Sequence, residues 1–329
     1  MNVAVIGAGF AGGIHAQAWA GLGADSLLVV DADADRAHAV AERWGGRAST
    51  SFEDALAPTI DAVSVCVPTS LHAELTISAA RAGKHVLCEK PMAMGVEEAD
   101  RMIAAADGAG VALMVAHVLR FWPEYESLGE LVTGGRLGGL RALSCHRLVT
   151  RPGAYAPWLL DPAQGLGLAE VAIHDLDIAA HLLGRPRAIA AQGVRDGAGW
   201  AHLQTLLRRA DGVVASVESG WGTPAAEPFV AGFRAVFEHG FAEYDSRRRP
   251  TFWVVGPDGV EEGESPQAET EGGPWAFDVA GYLREVEYFA SCVRDGRPPE
   301  RCPPGDARQA VELALAALEA ASTGTEIEL

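Results

Sequence analysis

The first twelve residues constrain the fold most, because an apolar segment leads directly into a glycine-rich turn. Residues 3–6 are all apolar, which predicts a β-strand buried on both faces. The turn has the spacing G-x-G-x-x-G, formed by Gly7, Ala8, Gly9, Phe10, Ala11 and Gly12. In this motif the first glycine permits the turn, the second lets a pyrophosphate approach the backbone, and the third lets the next helix pack closely. That helix, predicted at residues 10–20, would present free amide hydrogens to the phosphates.

An acidic residue stands where a dinucleotide site requires one. The apolar run at residues 27–30 ends in Asp31, at the place of the carboxylate that binds the adenosine ribose hydroxyls. An ordinary glycine turn is the alternative, but strand, glycines, helix and acid together favour a dinucleotide site. Because Asp31 would repel a 2′-phosphate, the sequence predicts NAD rather than NADP as the cofactor. Arg36 either lies over the adenine or occupies a solvated helix position.

Composition excludes several classes of partner. The 329 residues include 44 acidic residues against 26 Lys and Arg, a net charge of −18, which disfavours nucleic acid and anionic membranes as partners. The five cysteines contain no C-x-x-C pair, as expected in a reducing cytoplasm. The first predicted strand leaves no room for a signal peptide before it, and no apolar run is long enough to span a bilayer. The sequence therefore predicts a cytoplasmic location.

The first 120 residues alternate between buried strands and amphipathic helices. After Asp31, strands are predicted at residues 47–51, 62–67, 85–88 and 111–117, and helices at residues 33–44, 71–82 and 96–109. This order predicts a doubly wound parallel sheet of the Rossmann type, with residues 1–120 forming a dinucleotide-binding domain.

Chemically active residues lie at or just after the ends of three predicted strands, and this edge faces the ligand in a doubly wound sheet. They are Val67, Pro68, Thr69 and His72 at or after the end of the strand at residues 62–67, Glu89 and Lys90 after the next, and His117 and Arg120 at or after the end of the last. A lysine at this edge can hydrogen-bond a substrate hydroxyl and lower its pKa. A structural salt bridge is the alternative for Arg120. On the first helix, His15 shares a face with Trp19, for which packing is favoured over chemistry.

Residues 121–329 predict a second domain of α+β class. A helix at residues 123–133 precedes strands at residues 140–150, 188–194, 202–208, 213–219, 229–238, 242–244 and 251–255. A polar exposed loop at residues 263–273 leads to helices at residues 275–293 and 306–322, which can pack back on the first domain. The strands predict one open antiparallel sheet with helices on one face. The face of this sheet without helices is free to pack against another subunit, which predicts a homodimer or a homotetramer.

Four ionisable residues share one face of a helix predicted at residues 170–183: Glu170, His174, Asp177 and His181. A polar surface stripe is one interpretation, and a zinc or manganese site is another, although no H-E-x-x-H arrangement supports it. The third is general acid–base chemistry. Just before this helix lies an aromatic loop at residues 154–158, whose Trp158 either stacks on a sugar ring or packs on the sheet.

Taken together, these motifs make the whole chain resemble the Gfo/Idh/MocA oxidoreductases, which include glucose–fructose oxidoreductase and inositol dehydrogenase. The resemblance rests on the glycine turn, Pro68 with His72, Glu89-Lys90-Pro91, residues 120–123, residues 170–177 and the ending at residues 323–329. It implies that Lys90 touches both the nicotinamide ribose and the substrate, and that the Lys90–Pro91 bond is often cis. It also implies that His174 is the catalytic histidine. The chain departs from the family pattern at Glu170, where Asp is usual.

The resemblance implies an NAD(H)-dependent dehydrogenase of a small polyhydroxylated substrate, a sugar or a cyclitol. His174 is the expected general base, and Lys90 the donor that stabilises the developing alkoxide. Arg120, Trp158, Glu170 and Asp177 are expected to bind the substrate. Two alternatives stay open, a redox-cycling glycosidase that regenerates its NAD, and a non-catalytic NAD-binding sensor.

Overall fold

A computed structural model describes residues 1–152, 156–197, 199–222, 229–263 and 279–329. The chain divides into two compact units. The first unit comprises Met1–Phe121 and Val279–Val311, and the second comprises Trp122–Asp278 and Glu312–Leu329. Each unit has its own sheet.

The first unit contains a six-stranded parallel sheet. Its strands are β1 Asn2–Ile6, β2 Ser26–Val30, β3 Arg47–Ser49, β4 Ala62–Val65, β5 His85–Glu89 and β6 Leu113–Ala116. Their spatial order is β3-β2-β1-β4-β5-β6, and every neighbouring pair is parallel. The strand order reverses between β1 and β4, which is where ligands bind in open α/β sheets. The predicted doubly wound sheet is confirmed.

Eight α-helices lie in the part of the chain that the structure describes. They are α1 Phe10–Gly21, α2 Ala34–Trp44, α3 His72–Arg81, α4 Val96–Ala109, α5 Pro123–Gly134, α6 Ala169–Leu183, α7 Ala280–Asp295 and α8 Pro304–Thr323. In the first unit α1 packs against α7, and Trp19 meets Phe289 edge to face with their ring centroids 6.3 Å apart. The indole N–H of Trp19 donates to the hydroxyl of Ser64 at 2.9 Å, so its one polar atom is satisfied inside an apolar core.

The second unit contains a nine-stranded sheet. Its strands are β7 Leu140–Val149, β8 Ala188–Asp196, β9 Gly199–Arg208, β10 Val214–Trp221, β11 Phe229–Phe237, β12 Gly240–Asp245, β13 Phe252–Gly256, β14 Gly259–Gly263 and β15 Ile327–Glu328. The spatial order is β14-β13-β12-β11-β7-β10-β9-β8-β15. Helix α6 packs against β7 and β10, and the predicted open sheet with helices on one face is confirmed.

One pairing in this sheet corrects the sequence-based prediction. Strands β7 and β10 run parallel, whereas every other neighbouring pair of the described sheet is antiparallel. The connection from β7 to β8 passes through α6, and such a helical crossover lets β8 run in the same direction as β7. Because β9 is antiparallel to both β8 and β10, β10 also runs in this direction. Strands β14 and β15 were not predicted, because both are short and rich in charged residues.

Parts of two predicted segments lie outside the described residues. These are residues 264–273 of the polar loop with residues 275–278 of the helix that follows, and residues 154–155 of the aromatic loop. Among the described helices none combines the length and the hydropathy that crossing a membrane requires. All five cysteines are buried and carry free thiols.

Candidate cofactor and catalytic site

Two of the three motif glycines are required by close contacts in the first unit. Gly7 has a φ of +97°, and a Cβ there would lie 2.2 Å from the carbonyl oxygen of Cys66. A Cβ at Gly12 would lie 1.8 Å from the carbonyl oxygen of Gly7, so only glycine lets α1 approach the turn this closely. At Gly9, apart from the glycine and its two chain neighbours, no atom of the described residues lies within 4 Å of such a Cβ. The backbone there is open to an approaching ligand.

The beginning of α1 is arranged to receive an anion. Gly9 is the N-cap residue and has no side chain to cap the first turn, and this turn carries no acidic residue. The first amides of an α-helix point away from its own carbonyl groups, and the helix dipole favours negative charge beside them. Together with the open backbone at Gly9, this start of α1 fits the pyrophosphate of a dinucleotide.

Asp31 lies at the end of β2 with its carboxylate fixed by three donors. Its Oδ2 accepts from the Ala8 N–H at 2.8 Å, and its Oδ1 accepts from the Asp33 N–H at 2.8 Å and from the Arg36 guanidinium at 2.9 Å. Burial raises the pKa of Asp31, but these hydrogen bonds and the charge of Arg36 outweigh it and leave the pKa below its usual value. The carboxylate is therefore ionised, and a carboxylate oxygen can accept a further hydrogen bond from a ribose hydroxyl.

The loop after β4 carries the predicted residues Val67, Pro68 and Thr69. Thr69 begins a short 3₁₀-helix, Thr69–Leu71, and is fully buried. His72 follows as the first residue of α3 and is also buried. Its ring lies between this loop and the loop after β5, with contacts to the carbonyl oxygens of Val67 and Pro91.

Glu89 and Lys90 lie at the end of β5, and the Lys90–Pro91 peptide bond is cis, as the resemblance implies. The Glu89 carboxylate accepts from the Lys90 N–H at 3.0 Å and lies 3.3 Å from Nε2 of His15. Burial raises the pKa of Glu89, but His15 and Lys90 outweigh it and lower the pKa below its usual value. His15 is packed inside the unit, as predicted, and in addition it faces this carboxylate.

Sequence reasoning missed a second buried carboxyl group in the first unit. Glu285 on α7 is completely buried, and burial and the charge of Glu89 raise its pKa well above the usual value despite an opposing effect of Arg301. The pKa values of the two carboxyl groups are therefore shifted in opposite directions, which favours the charged form of Glu89 and the neutral form of Glu285. The signal was present, because Glu285 lies three residues after Tyr282 and four before Phe289, on the predicted apolar face.

His117 and Arg120 follow β6, and both are buried. The Arg120 guanidinium donates to the carboxylate of Asp306 and to the carbonyl oxygen of Arg301, each at 2.8 Å. The structural ion pair considered for Arg120 is thus present. Contact of Arg120 with a substrate, and of His117 with the cofactor, stays a prediction.

In the second unit, α6 carries the four ionisable residues of the predicted face. Glu170 and Asp177 are buried, His174 is half-buried and His181 is exposed. The Glu170 carboxylate accepts from the Leu166 N–H at 3.1 Å, which ties the glycine-rich turn to the helix. A polar surface stripe therefore does not describe this face. In the described part of the chain no group of three or more His, Cys, Asp or Glu side chains is arranged to hold a metal ion.

A buried ion pair beside His174 also escaped sequence reasoning. Asp175 on α6 accepts two hydrogen bonds from Arg147 on β7, at 2.8 Å and 3.1 Å, and both residues are almost completely buried. The Tyr125 hydroxyl lies 3.3 Å from the same guanidinium. The pair fixes α6 on the sheet with a side chain adjacent in sequence to His174.

Trp158 lies in the 3₁₀-helix Pro157–Leu160 and is half-buried. A Cβ at Gly165 would lie 3.2 Å from the Trp158 ring and 3.2 Å from Oε1 of Glu170. The aromatic ring and the carboxylate thus flank the same glycine within the second unit. Both predicted roles of Trp158, stacking on a sugar and packing, are compatible with this position.

Family comparisons cover most of the chain. Residues 1–117 match the family described as "Oxidoreductase family, NAD-binding Rossmann fold", and residues 125–260 match the "GFO/IDH/MocA C-terminal domain". D-xylose 1-dehydrogenase (NADP(+)) 2 of Haloferax volcanii is 30% identical over 93% of this chain and 92% of its own length. Myo-inositol 2-dehydrogenase of Thermotoga maritima is 34% identical over 56% of this chain and 55% of its own length.

Some of these matches are partial, and the structural match shows the fold. For the first curated relatives the match spans 46% to 64% of their own length. Levoglucosan dehydrogenase, solved in complex with NADH and levoglucosan, superposes with a TM-score of 0.86 and 24% identity, covering 100% of this chain and 99% of that one. With both family models matched in their expected order, the chain belongs to the Gfo/Idh/MocA family, whose N-terminal domain is an NAD-binding Rossmann fold.

Proposed function

We propose that the protein oxidises a secondary hydroxyl of a sugar or cyclitol, with NAD as the hydride acceptor. One observation carries the proposal. The glycine turn follows β1, Asp31 follows β2 and Lys90 follows β5, and these strands are parallel. The cofactor cradle and the candidate lysine therefore share one edge of one sheet. The dehydrogenases named above support a polyhydroxylated substrate.

The proposed cofactor site lies in the first unit. Its residues are Gly7, Gly9, Phe10, Ala11, Gly12, Asp31, Arg36, Val67, Pro68, Thr69, His72, Glu89, Lys90 and His117. The start of α1 binds the pyrophosphate, and the ionised Asp31 binds the adenosine ribose. When bound, the nicotinamide accepts the hydride that leaves the substrate carbon.

The proposed catalytic residues act on the substrate hydroxyl. Lys90 donates a hydrogen bond to the hydroxyl oxygen and stabilises the negative charge that develops as the proton leaves. His174 accepts that proton, since an imidazole changes its charge near neutral pH. Glu170 and Asp177 bind neighbouring hydroxyls. Arg120 and Trp158 complete the substrate contacts.

The proposed function is tested by a panel of sugars and cyclitols, scored by reduction of NAD and NADP in parallel. We expect at least one compound to give stoichiometric NADH. The catalytic efficiency with NAD should exceed that with NADP about tenfold or more, since about 1.4 kcal/mol of charge repulsion between Asp31 and the 2′-phosphate suffices for that ratio. Release of a free sugar from a glycoside without net NADH would instead identify a redox-cycling glycosidase. Binding of NAD without turnover of any compound would identify a sensor.

Two variants test the origin of the cofactor preference. Asp31→Asn keeps the side chain's size but removes the charge, so it should reduce the difference between the catalytic efficiencies with NAD and with NADP. Asp33→Asn is the matched control, because Asp33 is exposed and caps α2, a role that asparagine also fills. Equal catalytic efficiency with both cofactors in the unmodified protein would contradict this assignment.

We also propose that the second unit mediates assembly into a dimer or tetramer. Arg147 points from β7 toward α6. Ser144 is three residues away in the same strand, so its side chain lies on the other face of the sheet. Ser144 is in register with Ser216, which is in register with Leu206, and Leu206 is an exposed apolar residue. A second copy of this chain can cover such a face. The protein is proposed to work in the cytoplasm, where buried free thiols persist.

Light scattering at micromolar concentration should show a dimer or tetramer. Leu206→Glu should shift the protein toward monomer, because a charge would be buried at the contact. Leu283→Glu is the control, since Leu283 is an exposed leucine of the first unit, on α7. A monomer alone in the unmodified protein would refute the assembly.

A further inference from the structure

His72 has an unusual set of hydrogen-bond partners. The side chain is only 1% exposed, its Nδ1 lies 2.7 Å from the carbonyl oxygen of Pro91, and its Nε2 lies 2.8 Å from the carbonyl oxygen of Val67. Both distances are normal for strong hydrogen bonds. Both acceptors are backbone carbonyls, which can only accept. Each ring nitrogen must therefore donate if both bonds are to form.

This requirement decides the charge of the ring. A neutral imidazole carries one N–H, so one of its nitrogens would turn a lone pair toward a carbonyl oxygen at contact distance. An imidazolium carries two N–H groups and satisfies both acceptors, with the added strength of charge-assisted hydrogen bonds. Burial lowers the pKa of His72, but Cys88 on β5, the titratable group that interacts with the ring, and the two carbonyls raise it to about 9.

The two acceptors belong to the two loops that carry predicted site residues. Val67 lies in the loop after β4, and Pro91 follows Lys90 directly after β5. On the other side of Lys90, its N–H donates to the Glu89 carboxylate at 3.0 Å. The backbone that carries Lys90 is thus held by Glu89 before it and by His72 after it.

We propose that His72 is a positioning residue that, as a doubly protonated imidazolium, ties the carbonyl of Val67 to the carbonyl of Pro91 and fixes the backbone from which Lys90 extends. The charge state follows from geometry within the first unit alone. The effect on turnover rests on the proposed function, because it assumes that Lys90 acts on the substrate. His72 belongs to the proposed cofactor site because it holds these two loops, and its effect on turnover passes through Lys90, without contact with the substrate.

The charge state is tested on the free protein, without cofactor or substrate. Histidine labelled with ¹⁵N reports whether each ring nitrogen carries a proton, and the His72→Gln variant assigns the His72 signals. We expect two N–H groups on His72, unchanged from about pH 6 to about pH 8, across the range where an ordinary histidine loses its charge. A single ring N–H at pH 7 would overturn the proposal. This measurement stands even if the protein turns over no sugar or cyclitol.

The positioning role is tested by a double-mutant cycle. His72→Gln retains one amide donor group but cannot donate to carbonyls on opposite sides, so we expect kcat to fall about ten- to a hundredfold. In a Lys90→Ala background the same change should have little further effect, because the residue acts through Lys90. Multiplicative losses in the two backgrounds would overturn the positioning role.

A matched control separates positioning from stability. His85, at the opposite end of β5, accepts from the Ala112 N–H at 3.0 Å through Nδ1, and glutamine can supply an acceptor in its place. His85→Gln should leave kcat unchanged. If His72 were merely structural, His72→Gln would lower the melting temperature and leave turnover per folded molecule intact.

Discussion

Replacing His174 by alanine is expected to lower kcat by about a hundredfold or more, the usual contribution of a general base. The residue is half-buried on α6 of the second unit, while the proposed cofactor site lies in the first. NAD affinity should therefore hardly change. Measurement of kcat, the dissociation constant of NAD and the melting temperature on one preparation checks all three expectations.

His181→Ala is the matched control for this variant. His181 is a histidine on the same helix, but it is exposed. Its replacement should leave kcat unchanged. A folded His174→Ala protein that binds NAD and turns over almost normally would show that the base has been misassigned, and Asp177 or Glu170 would become the candidate.

Lys90→Ala extends the same experiment to the second proposed catalytic residue. We expect a similar loss of kcat, because the developing alkoxide loses its donor. NAD binding should also weaken, since Lys90 is proposed to contact the nicotinamide ribose. The two variants are thus distinguished by cofactor affinity, which falls in Lys90→Ala and is retained in His174→Ala.

Arg147→Met is expected to destabilise the protein by about 3–5 kcal/mol, because it leaves the carboxylate of Asp175 buried without its partner. Arg147 is 3% exposed and Asp175 is completely buried, so water cannot replace the lost hydrogen bonds. Denaturant unfolding of the variant and the unmodified protein measures the difference.

A surface ion pair of the same unit provides the control for this prediction. Arg187 contacts Glu328 at 3.3 Å, and both side chains are more than half exposed. Arg187→Met should therefore change stability by about 1 kcal/mol or less. Replacement of both buried partners, Arg147→Met with Asp175→Leu, should recover much of the loss. An Arg147→Met variant as stable as Arg187→Met would mean that the buried pair contributes no net stability.

The sequence predicted the elements of the first unit well, and the pairing of the second unit less well. In a parallel sheet each strand is a continuous apolar run, whereas in the helices apolar residues recur every three or four positions. The alternation of strands and helices is therefore visible in residues 1–120. In the second unit, the alternation of apolar and polar residues identifies a strand but does not show which other strand pairs with it. The parallel pairing of β7 with β10 depends on the crossover through α6, which no local pattern reveals.

The residues of the candidate site also differ in whether a local sequence pattern reveals them. The glycine turn, Asp31 and Glu89-Lys90-Pro91 are recognisable in the sequence because each is a local pattern tied to the end of a strand, and their roles stay predictions. Arg147 and Asp175 are far apart in sequence, and each alone is typical of a surface residue. Their pairing, like that of His15 with Glu89, depends on tertiary contacts between separate elements.

The order of synthesis gives the first unit an unusual folding problem. Trp19 packs on Phe289, yet residues 122–278 are synthesised between the two segments of the unit. At ordinary rates of translation that interval lasts on the order of ten seconds. During this time the nascent Rossmann sheet has α1 but not α7, and the indole face that later contacts Phe289 is available to chaperones on the ribosome. A chain released at Phe121 would lack the helix that completes this core.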